Sequence, residues 1–272
     1  MKEKKFQIIV SCRKNKDVKR LSKEFDYSIQ LDTASSRSIK KSFILIQKIV
    51  KKNLVYGIFC NAGYGQFGAV EDLSRDLICK QFETNLFGHI ELINLFIPFM
   101  RQHNEGRIIF NSSVLGLVSL PFSSAYNATK FAMEAFARSL RLELRKTNIK
   151  VSLIEPGPIE SKFNINALKK LKLLKIEKSV YQKKYYKMMK NLENERNFFT
   201  LPGLSVAKKV YTALKSNQPK SQYFVTLPTY VMSYLRILPN PIFENFLILL
   251  DNQRKNKWKI MSEEFQNNLL LL

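Results

Sequence analysis

Ser123-Ser124-Ala125-Tyr126-Asn127-Ala128-Thr129-Lys130 opens a helical run that continues to Lys146, and it sets a phenol and an ammonium four residues apart. One turn of α-helix brings such a pair onto the same face, so the two groups stand side by side. Ser113 lies thirteen positions before the tyrosine. A hydroxyl arriving there from the end of a preceding strand would complete a site for moving a proton on or off an oxygen. A free phenol, with a pKa of about 10, is a poor base at neutral pH, and a neighbouring cation stabilises its anion.

Outward from this helix, short apolar runs rich in β-formers alternate with longer helical patterns, the signature of a doubly wound α/β sheet with parallel strands and helices on both faces. Strands are expected over Phe6–Cys12, Tyr27–Leu31, Leu54–Cys60, Arg107–Asn111, Lys150–Ile154 and Gln222–Thr226. Helices are expected over Ser36–Lys52, with Ile39, Phe43, Ile46 and Val50 on one stripe, over Arg75–Met100 ending near Pro98, over Ser124–Lys146 and over Ala207–Ser216. Asn61-Ala62-Gly63-Tyr64-Gly65 reads as a turn after the third strand, and Pro156-Gly157-Pro158 stops the fifth. Residues 1–226 form one Rossmann-like domain in this reading, and residues 227–272 an apolar extension packed on it.

Composition narrows the classes. With 272 residues, 45% of them hydrophobic, the chain has ample material for a buried core. Cys12, Cys60 and Cys79 share no C-x-x-C spacing and have only His89 and His103 for company, which argues against a structural metal site and a disulfide framework and suits the cytoplasm. The apolar run after Met1–Lys5 is too short for a signal peptide, and Arg236, Pro239, Pro241 and Glu244 interrupt the apolar tail, so no transmembrane segment is expected. The net charge of +23 is spread along the chain, and its densest run, Lys162 to Lys190, alternates lysines with apolar residues at helical spacing. That is a solvated helix face, and nucleic acid is not the expected partner.

The ordered series Asn61-Ala62-Gly63, Asn85 within Thr84-Asn85-Leu86-Phe87-Gly88, Ser112-Ser113, Tyr126-x-x-x-Lys130 and Pro156-Gly157-Pro158-Ile159 resembles the short-chain dehydrogenase/reductase family over roughly residues 6–226. The resemblance implies an oxidoreductase that moves a hydride between a nicotinamide cofactor and a carbonyl or alcohol. It implies Tyr126 as general acid/base, Lys130 as the cation beside it and as holder of the nicotinamide ribose, Ser113 on the substrate oxygen, and Asn85 as anchor of a water leading from Lys130 to solvent. It further implies Asn61, Ala62 and Gly63 at the adenosine ribose, Asp32 at the adenine, and Ile159 and Ser161 at the nicotinamide amide. An NAD-selective member carries an acid after the second family strand; Arg13 followed by Lys14 there suits the 2′-phosphate of NADP. The segment 111–163 resembles aldehyde reductases and retinol or hydroxysteroid dehydrogenases, so a hydrophobic aldehyde or ketone is the expected substrate.

The family begins with a strand and T-G-x-x-x-G-x-G, whereas no glycine precedes Gly57. The expectation from this is a chain that opens inside the first helix, without its first strand and glycine loop, through either a misplaced start or gene decay. A 3-oxoacyl-carrier-protein reductase and a non-catalytic remnant remain the competing readings. Apolar positions on the two long helices, among them Leu86, Ile90, Ile93 and Ile97 on one and Phe131, Ala135 and Phe136 on the other, give the expectation of a homodimer or homotetramer.

Overall fold

In the computed structural model, residues 6–51, 53–194 and 199–248 are described. The chain opens on strand β1 (Ile9–Cys12), then α1 (Asn15–Leu21), β2 (Tyr27–Gln30), α2 (Ser36–Val50) and β3 (Gly57–Cys60). It continues through α3 (Arg75–Phe82), α4 (Gly88–Gln102), β4 (Gly106–Asn111), α5 (Ser124–Glu143) and β5 (Ile149–Glu155). The remainder is β6 (Ile159–Glu160), α6 (Phe163–Leu171), α7 (Gln182–Asn194), β7 (Leu201–Pro202), α8 (Leu204–Lys215), β8 (Gln222–Phe224) and α9 (Leu227–Leu235). Every named pairing is parallel: β1 with β2, a four-stranded sheet in the order β3-β4-β5-β8, and the short β6 with β7. The result is the Rossmann-like α/β domain that the alternating pattern predicts.

Parallel pairing explains why the central strands are unbroken apolar runs, since helices cover both faces. Ile108, Ile109 and Phe110 in β4 are wholly buried, and neighbours alternate between two cores. Ile108 and Phe110 pack with Leu86 from the turn that precedes α4, Ile93 from α4, and Met133 and Ala137 from α5, while Ile109 packs with Ile154, Val210 and Tyr223 on the other side. A third cluster ties Leu171, Leu174 and Tyr185 of the lysine-rich segment to Ala69 and Leu73. There the Tyr185 hydroxyl donates to Asp72 at 2.6 Å and accepts from the Ala69 amide at 2.7 Å.

Several expectations are corrected in detail. A start inside a helix would fall on residues 1–5, outside the described residues; the first element among the described residues is a strand, β1, in register with β2 from Ile9–Tyr27 to Cys12–Gln30. The apolar stretch pairs because extended backbone satisfies its amides on a neighbour, and glycine is not needed for that. Lys52, the expected end of the second helix, also lies outside the described residues, as do 249–272 of the tail.

The long helix expected over Arg75–Met100 is two helices joined by a π-turn over Glu83–Phe87. Such a turn accommodates one extra residue and re-aims the side chains around it. Pro98 does not end α4, which runs to Gln102. Proline there forfeits only the bond to the Asn94 carbonyl, and Asn94 is exposed.

Gly88 is fixed by a close approach: a Cβ on it would lie 1.7 Å from the Thr33 carbonyl oxygen, so no side chain fits where the loop after β2 touches α4. The chain divides into a compact unit, Met1–Tyr230, and a second, Val231–Leu272, within which residues 240–248 are helical. Among the described residues no helix is long and apolar enough to cross a membrane.

Candidate active site

The loops that come after β3, β4 and β5 all leave the carboxyl edge of one parallel sheet, where open α/β folds bind their ligands. Asn61–Gly65 comes after β3, Ser112 and Ser113 after β4, and Pro156–Pro158 after β5. α5 begins at Ser124, so its first two turns deliver Tyr126 and Lys130 to that edge. The Lys130 Nζ lies 5.6 Å from the centre of the Tyr126 ring, and the phenol is hydrogen-bonded to Ser113. The three groups expected to meet are brought together.

Their electrostatics differ from the expectation. Tyr126 is 7% exposed, with the rings of Phe67 and Phe163 centred 6.3 and 5.4 Å away, and burial pushes its phenol up to about 12 against the partial relief of the Ser113 bond. Lys130, 4% exposed, is pulled down to about 8 by burial, against the opposing fields of Glu134 and Cys60. Its ammonium donates to the backbone carbonyl of Asn111 at 2.6 Å, so its strongest contact is a carbonyl and not the phenol.

Asn85 sits in the π-turn and is spent on protein. Its Oδ1 accepts from the Tyr64 amide at 3.0 Å, and its Nδ2 donates to the Tyr64 carbonyl at 2.9 Å and to Thr129 Oγ1 at 3.3 Å. Gln81, one turn earlier, accepts from the Gln66 amide at 2.7 Å and donates to the Tyr64 carbonyl. Two side chains from one helical stretch thus clamp the loop after β3.

The remaining expected residues divide. Asn61 Oδ1 accepts from Asn111 Nδ2 at 2.7 Å, and Asn61, Ala62 and Gly63 are exposed along the loop. Ile159 lies in β6, and the Ser161 hydroxyl accepts from the Phe163 amide at 3.2 Å, opening α6. Arg13 and Asp32 stand apart, at the ends of the strands of the β1–β2 sheet. The exposed Arg13 offers its carbonyl to Gln30 Nε2 at 3.0 Å, and Asp32 Oδ1 accepts from the Ala34 amide at 3.0 Å.

Sequence reasoning missed four participants. His89 is buried one turn after Asn85, donates from Nε2 to the Ala62 carbonyl at 2.7 Å, and is held neutral, down to about 4, by burial. The i, i+4 spacing from Asn85 was the available signal. Phe163 covers the phenol, Asn111 joins the loop after β3 to Lys130 of α5, and Thr226 closes on the Pro156–Pro158 turn. A Cβ on Gly157 would lie 2.2 Å from Thr226 Oγ1, which is why that turn carries glycine. These three act through long-range contacts that no local pattern announces.

The carboxyl edge retains polar capacity for a ligand. Ser112 Oγ and Asn111 Oδ1 are buried and have no hydrogen-bond partner among the described residues. Buried polar atoms are ordinarily satisfied, and ribose hydroxyls are partners of the right kind. The donor and acceptor set therefore fits the ribose and nicotinamide end of a dinucleotide.

A sequence profile described as short chain dehydrogenase matches residues 1–172. Among curated relatives, an uncharacterized oxidoreductase of Escherichia coli (strain K12), YbbO, is 38% identical over 248 residues, covering 91% of this chain and 87% of that protein. A probable short-chain type dehydrogenase/reductase of Helicobacter pylori, VdlC, is 31% identical over 236 residues, covering 84% and 82%. Among solved structures, a short-chain dehydrogenase from Streptomyces avermitilis superposes with a TM-score of 0.71 at 19% identity over 92% of this chain and 89% of that one. A short chain dehydrogenase/reductase from Burkholderia phymatum in complex with NAD gives 0.70 at 18% identity over 84% and 83%. The expectation of a chain lacking its first strand and glycine loop is not supported, since the profile matches from residue 1 and β1 is in place.

Proposed function

The chain belongs to the short-chain dehydrogenase family and is an oxidoreductase, and from that premise we propose that it uses NADP(H) to interconvert a hydrophobic aldehyde or ketone and its alcohol. The observation that carries this reading is the convergence of Tyr126, its hydrogen-bonded Ser113 and the adjacent Lys130 at the carboxyl edge of the sheet. When bound, the cofactor supplies or accepts the hydride at the substrate carbon. Tyr126 holds the proton at its phenolic oxygen and delivers it to the substrate oxygen during reduction. Ser113 donates to that same oxygen and stabilises the charge that develops on it. Lys130, Asn61, Ala62 and Gly63 hold the riboses, and Ile159 and Ser161 meet the nicotinamide amide. Asn85 secures the loop after β3 through Tyr64.

NADP is favoured over NAD by Arg13 and Lys14 at the end of β1, where a 2′-phosphate needs cations, and Asp32 meets the adenine. A hydrophobic substrate is favoured by Phe67 and Phe163 around the phenol. The three cysteines are unpaired, which suits the reducing cytoplasm. The test is reduction of a panel of aliphatic and aromatic aldehydes with each cofactor. NADPH should give a kcat/KM at least tenfold above NADH, and no turnover with either would sink the reading.

The same reading includes a homo-oligomer. Leu86 and Ile93, expected on the contact face, are only 1% and 2% exposed and belong to the chain's own core. Phe87, Phe131 and Phe136 are 48%, 42% and 45% exposed, and a second copy would remove that apolar surface from water. Sedimentation at micromolar concentration should show a dimer or tetramer, and Phe131→Glu with Phe136→Glu should shift it to monomer. A monomeric parent would refute the assembly.

A further inference from the structure

Asn111, the last residue of β4, lies between two parts of the site. Its side-chain Nδ2 donates to Asn61 Oδ1 at 2.7 Å, while its own backbone carbonyl receives the Lys130 ammonium at 2.6 Å. One residue thus grips the loop after β3 with its side chain and the α5 ammonium with its main chain. In the proposed reading these two contacts belong to opposite ends of the cofactor, Asn61 at the adenosine ribose and Lys130 at the nicotinamide ribose.

We infer that Asn111 is a positioning residue that sets the spacing between the two ribose subsites, through its amide bond to Asn61 and its carbonyl bond to Lys130. The inference rests on the nicotinamide-cofactor reading. Its support is geometric. The loop after β3 is gripped on its helix side by Asn85 and Gln81 at Tyr64 and Gln66, and by His89 at Ala62. Asn61 is exposed, and the contact that steers its side chain is Asn111. A lone side-chain bond of this kind selects one rotamer of Asn61 and so pre-organises the loop before the ligand arrives. The second amide atom of Asn111, Oδ1, is buried and has no partner among the described residues, so the same side chain keeps an acceptor for a ribose hydroxyl.

The role differs from mere packing in what it moves. Asn111→Leu keeps the volume and the backbone carbonyl but removes the donor to Asn61 and the spare acceptor. Losing about one hydrogen bond of ordinary strength corresponds to an affinity change of about tenfold. The Kd of NADPH, titrated by fluorescence on the full chain, should rise by about tenfold in Asn111→Leu. At saturating NADPH, kcat should stay within about twofold, because the carbonyl that receives Lys130 is untouched. Asn61→Ala should weaken binding similarly, and the double variant should fall short of the product of the two single effects, since both remove the same Asn111–Asn61 bond.

A purely structural role predicts the opposite pattern, a lowered melting temperature with unchanged Kd, and that result overturns the inference. So does strict additivity of Asn61→Ala and Asn111→Leu. If Asn111→Leu fails to fold, Asn111→Thr, smaller and still polar, carries the same test and should also raise Kd. A parent chain that binds neither NADPH nor NADH would instead refute the cofactor reading itself, and with it the premise of this role.

Discussion

Tyr126→Phe is expected to reduce turnover by about a thousandfold while leaving NADPH affinity within about twofold of the parent, the loss being typical of a positioned acid/base group. Phenylalanine keeps the ring that packs against Phe67 and Phe163 and removes only the oxygen that Ser113 bonds. Binding survives because the riboses are held elsewhere. The split between an intact Kd and a collapsed kcat marks an interaction made only in the transition state. Burial raises the phenol to about 12, so in this form of the protein the proton stays on Tyr126 throughout the neutral range. Reduction, in which the phenol acts as an acid, should therefore hold a flat rate between about pH 6 and pH 8. Steady-state kinetics across that window decide the point: residual activity above one tenth in the phenylalanine variant would remove Tyr126 from its role.

The second large effect concerns Lys130. An ordinary lysine titrates at 10.5 and this buried one at about 8, a gap of about 3 kcal/mol. Between those two values the unfolded chain binds more protons than the folded one, so stability rises with pH across that range. Tyr126 and Tyr185, both raised to about 12, contribute stability that is fully present below about pH 10 and is lost as pH climbs from there toward 12, because the unfolded phenols ionise first, so their effect runs against the lysine there. The rise from Lys130 is therefore cleanest from about pH 8 to pH 10. On the acid side His89, lowered from 6.5 to about 4, removes stability as pH falls through that interval. Lys130→Met should abolish the alkaline rise, and at pH 7 it should unfold later than the parent by about 1 to 2 kcal/mol, with no catalysis left. Denaturant titrations of both proteins at pH 7 and pH 10 test this, and parallel pH curves would show that the ammonium costs the fold nothing.

Spacing made the centre of the site legible. Tyr126 and Lys130 are four apart on a helix, and Ser113 ends a strand, so period and order sufficed to bring them together. The alternation of apolar runs gave the parallel sheet for the same reason, because burial on both faces leaves a plain signature. What stayed hidden depends on contacts far apart in sequence. Phe163 reaches Tyr126 across 37 residues, and Asn111 reaches Asn61 across 50. Periodicity showed that Leu86, Ile93, Phe131 and Phe136 are apolar but not whether each faces its own core or a neighbour. The phenol's pKa was read from a nearby cation alone, and burial outweighed it.

The π-turn at Glu83–Phe87 has a consequence for how this gene tolerates change. Each residue in a helix advances the azimuth by about 100°, given about 3.6 residues per turn. The one extra residue works as a phase shifter: Gln81 ahead of it and Asn85 within it aim at the loop after β3, and behind it Leu92, Ile93, Phe96 and Met100 aim inward. Deleting any single codon in this segment would let it relax to an ordinary helix and turn the whole of α4 by that angle, swinging its inward stripe toward solvent. Point changes there are graded in effect, while changes of length are all-or-none, so lineages carrying this loop clamp should hold the length of the segment fixed even where its residues drift.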